Sequence, residues 1–248
     1  MYYKLIGCKV LEREIASVSY NCRNMLDVSL IRQSIHEKPR QLHALLQEEI
    51  DRIDRNEDTH SQNTEIVDYD AILLAYGLCT GVSMGLKSEK YPIVIPRVHD
   101  CVAMLMGSRE MYGEYYFKNP GTFYTSCGFT ELAYFKNEEQ EQRAMDKCLR
   151  RYKGNRRLAE KAYALEKSFT ENYERISFIR WPQLPMPEYE ERNREDARKR
   201  GWQFEVLPGS DTILRKLVDG QWDEDLFLVV PPGRTAIESY EEDIMKLK

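Results

Sequence analysis

The stretch that most restricts the fold is DAILLAY, residues 70–76, together with YPIVIP, residues 91–96. Both are near-continuous apolar runs. A strand that is apolar on both sides of its pleat needs cover on both sides, and a parallel sheet flanked by helices supplies it. The rest of the first half fits the same plan. Residues 3–10 read as a strand and 11–23 as a helix, and 26–35 contain a second strand with Val28 and Leu30 turned inward. Residues 39–55 carry Leu42, Leu45, Leu46, Ile50 and Ile53 at helical spacing. Pro39 opens that helix, where a missing N–H costs nothing. Residues 101–112 read as a further helix. This alternation predicts an α/β fold with a doubly wound, mostly parallel sheet.

The second half is more helical. Residues 137–172 read as two helices broken near Gly154, and 188–200 as a charged helix stopped by Gly201. Strands are expected at 175–181, 203–207 and 225–230, with a helix over 211–217. These predict a second, smaller α/β lobe or an extension of the first sheet. The expected division is a core over 1–135 carrying a cysteine-rich site, and a helical segment plus second α/β unit over 136–248.

No apolar run approaches the roughly 20 residues of a membrane helix. The net charge of -5 argues against a broad nucleic-acid footprint, which shows as a basic domain. A cytoplasmic protein without nucleic-acid or membrane partners is expected. In that compartment the six cysteines are reduced, so metal ligation or catalysis competes with simple burial as their explanation.

In an open parallel sheet, ligands bind beyond the carboxyl ends of the strands, where strand order reverses. Gly7-Cys8 ends the first strand. His36, Glu37 and Pro39 follow the second, and Tyr76, Gly77 and Cys79 the third. Arg97, His99, Asp100 and Cys101 follow the fourth. Three thiols gathered from strand ends are a donor set for zinc or an iron–sulfur cluster, with an open position left for substrate. Cys8 and Cys101 also open helices, where the dipole is expected to weaken their hold on a proton. Each cysteine taken alone is more simply a buried small hydrophobe. None has C-x-x-C spacing. His99 reads as a ligand, a proton shuttle or a cap that ties down the loop, and Asp100 as a proton-transfer or hydrogen-bonding group beside it. Arg97 reads as a partner either of Asp100 or of an anionic substrate. Gly77 and Gly81 allow tight turns with exposed amides for a cofactor anion, although their spacing fits neither a dinucleotide fingerprint nor a P-loop. Cys127, Cys22 and Cys148 read as structural.

These residues also carry a family resemblance. LLAYGLCTG, VIPRVHDCVAMLMGSREMYGEYY and PGTFYTSCGF, with GCKVLERE, IHEKP and LVDGQWDEDLFLVVPPG around them, resemble domain-of-unknown-function family 1638. Two departures stand out: Thr80-Gly81-Val82 replaces the family's Gly-Asn-Gly, and Cys127-Gly128-Phe129 replaces its Pro-Gly-Trp. The resemblance implies a setting near corrinoid-dependent methyltransferases, and so methyl-group or thiol metabolism. The pattern falls on Cys8, Cys79, Arg97, His99, Asp100 and Cys101.

Three functions follow as expectations. The first is a metal-dependent enzyme or accessory factor in which Cys8, Cys79 and Cys101 hold zinc or an iron–sulfur cluster and a small anionic or thiol substrate binds nearby. The second is a carrier that hands a metal or corrinoid to a methyltransferase partner. The third is a metal-free enzyme with Cys101 or Cys79 as nucleophile and His99 as base. Oligomerisation is left open.

Overall fold

The computed structural model describes residues 1–32, 38–57, 68–132, 138–168, 172–239 and 243–248. The elements run β1 (Tyr2–Cys8), α1 (Glu12–Tyr20), β2 (Met25–Ile31), α2 (Pro39–Asp54), β3 (Ala71–Ala75), β4 (Ile93–Pro96), α3 (Cys101–Met106) and α4 (Arg109–Lys118). They continue through β5 (Thr122–Thr125), α5 (Cys127–Glu131), α6 (Glu138–Arg151), α7 (Arg156–Ser168), β6 (Arg175–Arg180), α8 (Pro187–Arg200) and β7 (Gln203–Pro208). The last are α9 (Thr212–Asp219), β8 (Phe227–Val230), β9 (Ala236–Glu238) and β10 (Met245–Leu247).

The main sheet has the order β2-β1-β3-β4-β8. Its first four strands are parallel, and β8 closes the edge antiparallel to β4. All five residues of β3 are buried, as a strand covered on both faces requires. The winding is double. A side chain on Gly7 would meet Ile15 of α1. Ser29, paired in register with the neighbouring Ile6 and so on the opposite face, donates to Glu49 of α2 at 2.8 Å. The α/β, mostly parallel reading therefore holds. The inward placement of Val28 does not: β2 is an edge strand, Val28 is exposed, and Ser29 is its buried residue.

The chain forms two compact units. One comprises Met1–Glu114, Trp181–Pro185 and Pro208–Lys248; the other Tyr115–Arg180 and Met186–Leu207. The second is an insertion, because the chain returns to the first unit to add β8 beside β4, and the boundary expected at 135/136 falls inside it. In the second unit β5 and β6 pair in parallel within the sheet β5-β6-β7. Tyr115 and Ser177 both donate to Glu205, which also faces Arg175 at 3.3 Å.

The helix expected over 101–112 is two helices. Gly107 adopts φ 72 at the end of α3, and a side chain there would meet Ser210 at 2.6 Å. Among the described residues no helix is long and apolar enough to cross a membrane.

Candidate functional site

The strand order reverses between β1 and β3, both of which pair with parallel neighbours. A crevice at such a reversal is where doubly wound sheets place ligands. Cys8 is the last residue of β1 and is buried; the amide of Val10 hydrogen-bonds its sulfur. Tyr76 directly follows β3 and is also buried.

Beyond Tyr76 the backbone is unusual. Cys79, Thr80 and Gly81 have φ of 44, 63 and 85, a left-handed turn. Glycine adopts this at no cost, whereas a non-glycine residue pays roughly 1–2 kcal/mol and a β-branched one is a true outlier. The turn is imposed from outside. The amides of Leu78 and Cys79 donate to the carbonyls of Val98 and His99, both at 2.8 Å, and Ser83 donates to the carbonyl of Gly77 at 2.8 Å. Gly77 permits this docking, since a side chain there would lie 2.5 Å from the Val98 carbonyl and 3.1 Å from the Asp100 amide. The loops after β3 and β4 are thus pressed together backbone to backbone.

Asp100 begins α3. One carboxylate oxygen accepts from the amides of Val102 and Ala103 at 2.9 and 3.3 Å, and the other from the Tyr112 hydroxyl at 2.9 Å. Its occupation is that of an N-cap, which also fixes Cys101 as the first residue of the helix. His99 offers its carbonyl to Cys79 and leaves its ring exposed. Arg97 is buried, and its guanidinium donates to the carbonyls of Phe227, Asp243 and Met245. Among the described residues Arg97 and Asp100 form no ion pair.

The three thiols share one environment. Burial pushes Cys79 up to about 12, with the Asp100 carboxylate and Cys8 adding to the rise; the amides of Gly77 and Cys101 face its sulfur and pull the other way. Cys101 is raised well above an ordinary thiol, first by burial, then by Cys79, Asp100 and Cys8. Burial also raises Cys8. Tyr76 is raised by burial and by all three cysteines. The expectation that helix dipoles would acidify Cys8 and Cys101 is overturned. The turn after Cys8 and helix α3 are only three and six residues long, and burial with mutual thiolate repulsion outweighs their amides.

The charge of Cys8 thus bears on Cys79, that of both on Cys101, and that of all three on Tyr76. Among the described residues no group of three or more His, Cys, Asp or Glu side chains stands ready at metal-ligand spacing. Cys127 and Cys148 belong to the second unit, and Cys22 donates to the carbonyl of Val218 at 3.3 Å, away from the other thiols. His36 lies outside the described residues. Gly81 lies under Glu238, whose carboxylate would be 3.1 Å from any side chain placed there. Tyr76 and Glu238 were given no role by the sequence reading. Tyr76 had a legible signal, since it directly follows an apolar strand, as Cys8 ends one. Glu238 had none, because its neighbour Gly81 is remote in sequence.

The sequence matches the family described as "Protein of unknown function (DUF1638)" over residues 30–218. That span contains Gly77, Cys79, Gly81, Arg97, His99, Asp100 and Cys101, and leaves out Cys8 and the β9–β10 hairpin. No curated protein and no solved structure matches the chain.

Proposed function

The chain belongs to the DUF1638 family of proteins of unknown function, and from that premise we propose that it binds a thiophilic metal, zinc or an iron–sulfur cluster, through Cys8, Cys79 and Cys101. The observation that supports this reading is that Cys8, Cys79 and Cys101 follow three strands of one parallel sheet, and that each holds its proton more tightly than a free thiol, Cys79 and Cys101 in part because of the other thiols. Buried thiolates that repel one another are costly, and a bound cation reverses that cost by accepting all of them as ligands. The same feature weighs against a metal-free nucleophile. Catalytic cysteines have depressed proton affinity and an adjacent base, whereas these are raised and the His99 ring is exposed.

The donor set suits a soft cation. The sulfurs share an environment without standing at coordination spacing, so binding would draw them inward. Bound zinc would supply a Lewis acid that acidifies a substrate thiol for methyl or thiol transfer, and a cluster would supply electron transfer or substrate activation. The protein's own part is to present the three sulfurs at the strand ends, with Tyr76 as a neutral phenol whose proton they help to hold.

Metal analysis and an absorption spectrum of anaerobically purified protein test the reading. Cys8→Ser, Cys79→Ser and Cys101→Ser are each expected to lower metal content at least about tenfold, consistent with the cost of losing a ligand. Cys22→Ser and Cys148→Ser should leave it unchanged. Equal metal in all five variants would remove the site.

A further inference from the structure

We propose that Arg97 is a positioning residue for the Cys79 turn and acts through the C-terminal hairpin. This goes beyond the metal reading and takes from it only that Cys79 matters. Arg97 leaves β4 buried, at 9% exposure, in a place where an unpartnered guanidinium would be costly. Its amide donates to Leu226 at 2.7 Å, its Nε to Phe227 at 3.4 Å, and one Nη to Asp243 at 3.1 Å and to Met245. Asp243 and Met245 flank Ile244, a β-branched residue at φ 53. Such a conformation persists only where its surroundings enforce it: the amide of Met245 donates to Asp243 at 2.6 Å and that of Ser239 to Ile244 at 2.9 Å, and the guanidinium adds side-chain bonds to the carbonyls on both sides of Ile244.

The hairpin held in this way reaches the thiol site. Ala236 of β9 accepts from the amide of Gly85 at 2.9 Å, and the Glu238 carboxylate rests against Gly81. Both contacts fall on the loop that begins with Cys79. Two left-handed stretches, Cys79–Gly81 and Ile244, thus lie at the two ends of one connection, with Arg97 at its base. An anion-steering role would need the guanidinium to turn freely, whereas here its Nε and one Nη are fixed on backbone carbonyls of the hairpin and β8. The requirement is for a fork of N–H donors, which lysine lacks.

The test is site-resolved alkylation of metal-stripped full-length protein by iodoacetamide at pH 8, read by mass spectrometry. Arg97→Gln is expected to raise the labelling rate of Cys79 at least about tenfold while Cys148, in the other unit, keeps its wild-type rate. Arg97→Lys should behave as Arg97→Gln does. Glu238→Ala, which removes the hairpin's carboxylate from Gly81 and leaves the turn's own residues intact, should raise Cys79 labelling with Arg97 in place. Unchanged Cys79 labelling in Arg97→Gln and Glu238→Ala, wild-type labelling in Arg97→Lys, or a parallel rise at Cys148 would each overturn the proposal. Because the protein carries no metal in this assay, its result stands apart from the metal contents of the cysteine variants.

Discussion

At the scale of single residues, proton affinity is the property that separates the candidate readings, and it makes a pH-dependent prediction. Cys79 is raised from 9.0 to about 12, and Cys8 and Cys101 are raised from the same starting value. Below pH 9 each thiol is protonated whether the chain is folded or not, so the full contribution to stability is present. Between pH 9 and 12 the unfolded chain releases protons that the folded chain still holds, and rising pH favours unfolding. Thermal melts of metal-stripped protein should therefore lose Tm across that window, and Cys79→Ala and Cys101→Ala should flatten the loss. Identical slopes in the three proteins would show that these thiols ionise as easily in the fold as out of it. That each of the three thiols lies just past an apolar strand was readable in advance. Their proton affinity was not: Cys101 opens a helix, as expected, but its rise is set by burial and by Cys79, Asp100 and Cys8, two of them remote in sequence. Arg97 shows the same limit, since its acceptors lie more than a hundred residues away.

At the scale of elements, the site depends on how closely two loops approach, and Gly77 governs that approach. A methyl group there would sit 2.5 Å from a backbone carbonyl, which cannot rotate aside as a flexible side chain would. Gly77→Ala is expected to cost about 3 kcal/mol, the upper end for overpacking a tight site. Gly113 in α4 is the contrast: nothing lies within 4 Å of a side chain there, and its φ is not left-handed. Gly113→Ala should gain about 0.5–1 kcal/mol, as alanine does in an open helical position. Urea denaturation of both variants measures the pair, and a Gly77→Ala protein as stable as wild type would mean the loops can part freely. Most elements were legible from apolar spacing and stop signals: α2 begins at Pro39, α8 ends before Gly201 at φ 70, and the break at Gly154 separates α6 from α7. The hairpin of β9 and β10 was not, since strands of three residues offer no period to read.

At the scale of the whole molecule, chain order and spatial order diverge, and this decides which pieces can fold. The stretch matched by the family, residues 30–218, looks like a self-sufficient domain when written as a line. In the sheet it is not one. It lacks β1 and all but the last two residues of β2, and it lacks β8, which covers the far edge of β4. Without β1, strand β3 loses its hydrogen-bonded neighbour, the two faces of the sheet lose Leu5 and Ile6, both fully buried, and the strand ends lose Cys8. Without β8 the strand Ile93–Pro96 becomes an open apolar edge, the kind of edge that pairs with other chains. Arg97 would at the same time lose the carbonyls of Phe227, Asp243 and Met245 and stand as an uncompensated buried charge. A polypeptide of residues 30–218 is therefore expected to lack a cooperative unfolding transition and to aggregate, whereas the full chain should melt cooperatively. Near-ultraviolet circular dichroism through a thermal ramp distinguishes the two, and a sharp, reversible transition in the shortened chain would mean that β1 and β8 are accessories of the sheet and not its framework.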